Sequence, residues 1–288
     1  MRIFVPVLTA AALLVTSPAA AQDVTGPAVT QPDVSVDGDA DRITIGIGAA
    51  TVPIYEGADE NQIIPGAIVV GRLGGYDFFT RGTQLYVDLA RDRPGPGTNI
   101  EFGPIVGVRL DRTNRVDQPA VRALGRIDTA YEVGAFAGVT RTGVITSDFD
   151  TLTARVAFVH DLGDAHGSYV ITPQVTYTTP LSIRTLVSLG VSADYVGAGY
   201  GRTYFSVTPA QSLASGLRAY DAADDGWKRY NINAFVLQSL SGDLRRGLGV
   251  GGGVSYGRLL GRYADSPIVG DVGDADQWLA AVGLSYTF

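Results

Sequence analysis

The stretch Asp276-Gln277-Trp278-Leu279-Ala280-Ala281-Val282-Gly283-Leu284-Ser285-Tyr286-Thr287-Phe288 closes the chain, and its reading decides the fold. Counted back in twos, Phe288, Tyr286, Leu284, Val282, Ala280 and Trp278 are all apolar or aromatic. The other register holds Thr287, Ser285, Gly283, Ala281, Leu279 and Gln277, which are small or polar apart from Leu279. Alternate side chains of a strand point to opposite faces, so the stretch predicts a strand with one greasy and one mostly polar face. Trp278 and Phe288 lie ten residues apart on the greasy face. At ~3.3 Å per residue and a tilt of about 40° they span roughly 25 Å, the height of the apolar band on a membrane barrel. A half-buried strand of a soluble β-protein would alternate in the same way, so the remainder of the chain decides between the two.

The N-terminus favours export. Arg2 precedes the short apolar run Ile3 to Thr16, and Ala19-Ala20-Ala21 supplies an A-x-A cleavage pattern. This describes a signal peptide over residues 1–21, cleaved after Ala21. The run is shorter than the ~20 residues a spanning helix needs. Later segments offer no long uninterrupted apolar stretch, which excludes a helical membrane protein. Charged residues make up 18% of the chain, below the roughly one quarter of a typical water-soluble domain, against 37 Gly and 14 Tyr. There is no cysteine, which removes disulfides, thiol catalysis and thiolate metal sites. A net charge of −7 argues against a nucleic-acid partner, which would want a basic face.

Residues 22–41, with two prolines and Asp37, Asp39 and Asp41, carry no apolar period and read as a flexible periplasmic tail. From Arg42 to Phe288 the chain reads as about twelve alternating segments separated by turn-rich stretches. The third is expected near Tyr76 to Ala90 and a short ninth at Tyr204-Phe205, where the period is poor. The expected fold is therefore all-β: a transmembrane antiparallel β-barrel of outer-membrane type over 42–288. An even strand number puts both ends on the periplasmic side. Glu101, Arg109, Glu132, Arg155 and Asp194 fall on the inward register and predict a polar lumen. Counting back from Phe288 places Asp161 to Ser168 and the long Arg112 to Arg126 connection on the periplasmic side, and Thr179 to Ser182 outside.

Several stretches resemble the MipA/OmpV family of MltA-interacting outer-membrane proteins. Pro53-Ile54-Tyr55-Glu56-Gly57-Ala58-Asp59 resembles its P-x-Y-x-G-(S/A)-D segment. Gly103-Pro104 followed by Arg109 resembles its G-P-x-x-x-x-R strand. Thr203 to Val207, then Ser215-Gly216-Leu217-Arg218-Ala219-Tyr220, resemble its tYFgV…sGL..Y region. Ala264-Asp265-Ser266-Pro267-Ile268-Val269 resembles its A-x-S-P-(I/L)-V loop. A terminal Phe on an amphipathic last strand also resembles the assembly signal of outer-membrane proteins, here Trp278, Val282, Leu284, Tyr286 and Phe288. The resemblance implies a cell-outer-membrane scaffold in a Gram-negative envelope. It would bring a lytic transglycosylase together with a murein synthase for peptidoglycan remodelling. Expected partners are those enzymes, outer-membrane lipid and lipopolysaccharide, and the barrel assembly machinery. The alternatives are a narrow channel for small solutes and a surface adhesin or antigen.

Catalytic chemistry finds little footing, and the chain is read as a non-enzyme with no cofactor or metal. His160 and His166 lie near Asp161, Asp164 and Ser168, but residues of this kind also build turns. Gly249, Gly251, Gly252 and Gly253 lack the Lys-Ser/Thr of a phosphate loop and read as a wall with space beside it. Carboxylates gather in three outer loops: Glu56, Asp59 and Glu60; Asp221, Asp224 and Asp225; and Asp265, Asp271, Asp274 and Asp276. Hard cations that bridge lipopolysaccharide phosphates would suit such oxygen ligands.

Overall fold

The computed structural model describes residues 41–93, 95–114 and 116–288. The expected signal segment with Ala21, and residues 22–40 of the expected tail, lie outside the described residues. Twelve strands form one closed antiparallel ring: β1 (Arg42–Pro53), β2 (Asn61–Leu73), β3 (Tyr76–Arg81), β4 (Gln84–Val87), β5 (Gly97–Arg109) and β6 (Ala130–Thr142), then β7 (Thr151–Asp161), β8 (Tyr169–Ser182), β9 (Thr185–Val196), β10 (Gly226–Ser239), β11 (Gly247–Leu259) and β12 (Asp276–Thr287). The C-terminal stretch closes the ring, with β12 pairing β1 from Thr44↔Thr287 to Thr51↔Ala280. No helix among the described residues is long and apolar enough to cross a membrane.

The alternation read from sequence becomes two faces. Val282, Leu284, Tyr286 and Phe288 are exposed on the outside, as are Ile45, Ile47, Val191, Ile232, Val236 and Val254 on neighbouring strands. So large an apolar surface on a closed barrel is a lipid-facing belt. Aromatic pairs edge it at one end, with ring centroids 5.3 Å apart for Tyr195–Trp227 and 5.0 Å for Tyr256–Trp278. Tyr286 and Phe288, 4.8 Å apart, edge the other. Amphipathic rings settle at the headgroup level of a bilayer. The start of β1 and Phe288 lie at the same end, which is the periplasmic side in bacterial barrels. Inside, Glu101, Glu132, Arg155 and Asp194 are buried, as the register predicted.

Two elements depart from the sequence reading. Tyr204-Phe205 ends a helix, α2 (Ala198–Phe205), and the third segment is a hairpin of two short strands, β3 and β4. The two errors cancel in the total of twelve but not in between. Every connection from Arg112 to Val196 therefore changes sides. Leu110 to Thr129 and Leu162 to Ser168 are outer loops, and Ile183-Arg184 is a periplasmic turn. The two awkward loop lengths disappear with this correction, and the three longest connections, 110–129, 197–225 and 260–275, all lie outside.

Phe288 donates its backbone N–H to Ile43 O at 2.9 Å, so it extends the β12–β1 seam beyond the last strand residue. Deleting Phe288 should lower the yield of heat-modifiable barrel in purified outer membranes several-fold. Normal yield would mean the aromatic end is not an assembly signal.

Candidate functional site

The most unusual chemistry lies beneath the outer mouth and begins at an irregularity in β10. Trp227 pairs with Tyr195 and Arg229 with Asp194, which leaves Lys228 as an extra residue between them. A bulge breaks the in–out alternation. Lys228, the chain's single lysine, and Arg229 are consequently both buried inside. Glu56 descends from the β1–β2 loop to meet them. Its Oε1 lies 2.7 Å from Lys228 Nζ and 3.2 Å from Arg229 Nη1, and its Oε2 accepts from the Tyr200 hydroxyl at 2.6 Å. Arg229 Nε donates to Asp194 at 2.7 Å. Arg109 bridges onward, donating to Glu132 at 2.8 Å and to Tyr200 at 3.3 Å. Gln84 adds a 2.8 Å bond to Glu132. Lower in the lumen Arg155 pairs with Glu101, its guanidinium 4.6 Å from the Phe79 ring centre and 5.1 Å from that of Phe136.

Burial alone would push the Glu56 carboxyl up, but Lys228 and Arg229 outweigh it and hold the group below its usual value. Asp111, which accepts the Glu56 backbone N–H at 3.2 Å, goes the other way: burial pushes it up to about 6 against the pull of Arg112. Burial also raises the Tyr200 hydroxyl well above its ordinary value. The cluster is a network of satisfied charges. It has the character of a structural clasp, since each ionised group already faces a fixed partner.

Above it the outer loops form a lid that carries the short helices α1 (Pro119–Arg122), α3 (Pro209–Ser215), α4 (Gly261–Ala264) and α5 (Pro267–Gly270) besides α2. The family-like residues meet here. The Tyr55 hydroxyl donates to Val272 O at 3.0 Å, and Tyr55, Leu217 and Ile268 share one apolar cluster with Val121 and Val207. Gly57, at φ 95°, gives its N–H to Gln277 at 3.2 Å, and a β-carbon there would lie 2.5 Å from Val269. Ser266 caps α5 and donates to Phe205 O at 2.6 Å, while the buried Pro267 starts that helix. Ser215 bonds back to Gln211 O at 2.7 Å, and Gly216, at φ 78°, ends α3. Pro53 ends β1, and Asp59 and Asp265 stay exposed. Leu213, inside α3, points into solvent, while Leu217 is buried just beyond the helix.

His160 and His166 point to opposite faces of the wall. His166 is inside, its Nε2 3.6 Å from Glu132, and Asp161 accepts the backbone N–H groups of Gly163, His166 and Gly167 as a turn organiser. Among the acidic loop residues, Glu56 is spent inside the barrel, while Asp224 faces Arg262 at 2.8 Å and Asp276 faces Arg258 at 2.5 Å. The described residues hold no group of three or more His, Cys, Asp or Glu placed to ligate a metal. Sequence reasoning missed Lys228, Arg229 and Tyr200. The only trace was the adjacency of two basic residues, Lys228-Arg229, inside a strand.

The family model for the MltA-interacting protein MipA matches residues 45–288. No curated protein matches the chain. Among solved structures, an outer membrane channel from Pseudomonas putida F1 shares 11% identity, covering 90% of this chain and 100% of that one, at a TM-score of 0.43. The outer membrane channel DcaP of Acinetobacter baumannii shares 11% over 88% and 99%, at 0.37. The translocator domain of the autotransporter NalP from Neisseria meningitidis shares 13% over 88% and 90%, at 0.34.

Breaking a buried ion pair from one side typically costs about 3–5 kcal/mol. Glu56→Gln should therefore lower the temperature of the heat-shift transition markedly, and the double variant Glu56→Gln, Lys228→Met should recover part of the loss. Asp111 has the opposite sign. A raised carboxyl stabilises the fold fully below its unfolded value of 3.8, and that contribution is lost as pH rises through about 6. Asp111→Asn should flatten the pH dependence of the transition between about pH 4 and 6, where Glu56, held low, stays ionised.

Proposed function

The chain belongs to the MltA-interacting protein family, and from that premise we propose that it is an outer-membrane barrel that scaffolds peptidoglycan-remodelling enzymes from its periplasmic end. The observation that carries this reading is the contrast between the two ends of the molecule. The outer mouth is covered by the lid, and its exposed groups are mainly acidic: Asp59, Glu60, Asp221, Asp224, Asp225 and Asp271 among them. The periplasmic end exposes Arg91, Arg93, Arg141, Arg184, Arg245 and Arg246 against only Asp41 and Asp148 among its described exposed acids. A rim of one sign steers an oppositely charged partner and fixes its orientation. The partner named by the family, a murein lytic transglycosylase, would dock there through an acidic surface, with the murein synthase as second guest.

The Arg112 to Arg126 connection, expected on the periplasmic side, offers no docking surface there, because it packs into the lid. In this reading residues 1–21 leave as the signal peptide and 22–41 form a periplasmic tail, since β1 begins at that end. The barrel assembly machinery would insert the chain by its β12 end, and lipid and lipopolysaccharide would surround the belt. The channel alternative is weakened by the lid.

Reversing the rim with Arg91→Glu, Arg93→Glu, Arg245→Glu and Arg246→Glu should reduce co-purification of the transglycosylase at least tenfold at low salt. The heat shift should stay normal. Undiminished capture by the folded variant would sink the basic-rim scaffold.

A further inference from the structure

The barrel wall is incomplete on one side. The β3–β4 hairpin turns at Gly82-Thr83, and β3 pairs β2 only from Val70 to Leu73. The Thr80 hydroxyl finishes the seam, bonding both the N–H and the C=O of Val69. Val69 thus directs its polar backbone away from β1. By strand alternation Ala67, Pro65 and Ile63 direct theirs the same way, and none meets a strand among the described residues. Pro65 has no N–H to lose there, and proline on an edge also discourages an added strand. Unpaired backbone at membrane depth is tolerated only where it lines a cavity or is covered by protein.

A cavity of about 170 Å³ lies directly behind this edge. Gly46, Gly48, Gly66, Ile68, Phe235 and Leu237 line it, and Gly82 from the hairpin turn borders it. A β-carbon on Gly66 would meet nothing within 4 Å, so the space continues to the edge itself. The lining is apolar, and a dry cavity of roughly 150 Å³ accepts a benzene-sized group of about six carbons. One inward step above Phe235 the chemistry changes. Asn233 Nδ2 and Oδ1, Asn231 Oδ1 and Thr176 Oγ1 are buried with no hydrogen-bond partner. Unmade hydrogen bonds on buried amides are costly, so a polar group brought beside these four atoms, two residues along β10 from the cavity wall at Phe235, would be stabilised there.

We propose that the lumen binds a single-chain amphiphile drawn from the membrane through the gap between β2 and the β3–β4 hairpin. Its alkyl tail occupies the glycine-lined cavity, and its carboxyl, ester or amide head meets Asn231, Asn233 and Thr176. The surrounding bilayer supplies the ligand, because the gap opens through the lipid-facing belt and the outer mouth is covered. This is independent of any partner at the periplasmic rim.

The test titrates 11-(dansylamino)undecanoic acid into the purified full-length barrel in maltoside detergent, with palmitic acid as competitor. Saturable, competable fluorescence is expected. Gly66→Leu, which fills open space, should weaken binding at least tenfold while the heat shift stays normal. If Gly66→Leu does not fold, Ala281→Leu fills the same cavity from β12. Asn233→Ala should weaken the acid by a smaller factor. A signal no greater than that of micelles alone would overturn the proposal, as would unchanged affinity in a folded cavity-filling variant. Absent probe binding with a dimer that forms along β2 would assign the edge to a second copy and overturn it as well.

Discussion

One carboxylate ties the loops to the wall. Glu56 stands on a connection between strands, yet its oxygens meet Lys228 and Arg229 of β10 and Tyr200 of α2. Taking three charges out of water is expensive, and only their mutual placement offsets it. The loop that carries Glu56 therefore cannot swing outward without leaving Lys228 and Arg229 to share Asp194 alone. Tyr55 next to it is then pinned over Ile268 and Val272, and the apolar cluster of the lid grows from that anchor. Clasp and lid are one construction, joining the β1–β2 loop to β10 across two intervening strands.

The bulge in β10 is what makes it possible. A regular strand turns only one of two neighbours inward. Asp194 can take Arg229 in the ordinary register, but Glu56 needs a second cation, and the extra residue supplies Lys228. Three of the four glutamates in the chain, Glu56, Glu101 and Glu132, each face a buried arginine or lysine. The lumen is thus cross-braced at two levels. Its opposite wall, along β10 to β12 and β1 to β2, is left to glycine, alanine and a few large apolar side chains.

The barrel was legible because membrane strands obey one simple rule, alternation, over ten or more residues each. β12, β5 and β6 could be read almost residue by residue, and so could the inward charges Glu101, Glu132, Arg155 and Asp194. The rule fails where segments are short. β3 and β4, of six and four residues, look like one long strand because Gly82-Thr83 makes so brief a turn. Tyr204-Phe205 is apolar for a different reason: it packs under the lid, where both residues are buried regardless of period. The clasp was out of reach because its members are spread in sequence from the β1–β2 loop to β10 and one of them owes its direction to a bulge. The gap in the wall hid for the same reason as the hairpin, since an unpaired edge leaves no mark in the alternation of the strand that bears it.

The place where the family-like residues converge bears on what the family shares. Tyr55, Gly57, Leu217, Ser266 and Pro267 meet one another in the lid, far from the end where periplasmic enzymes would approach. Their identities follow from a turn at positive φ, a helix cap and a shared apolar cluster. What these residues specify is a barrel sealed on its outer side. The arginine rim lies in short turns, which tolerate substitution more readily than a packed lid does. The residues that carry the family likeness therefore account for the packed lid, while the basic rim at the other end is built from a separate set of side chains.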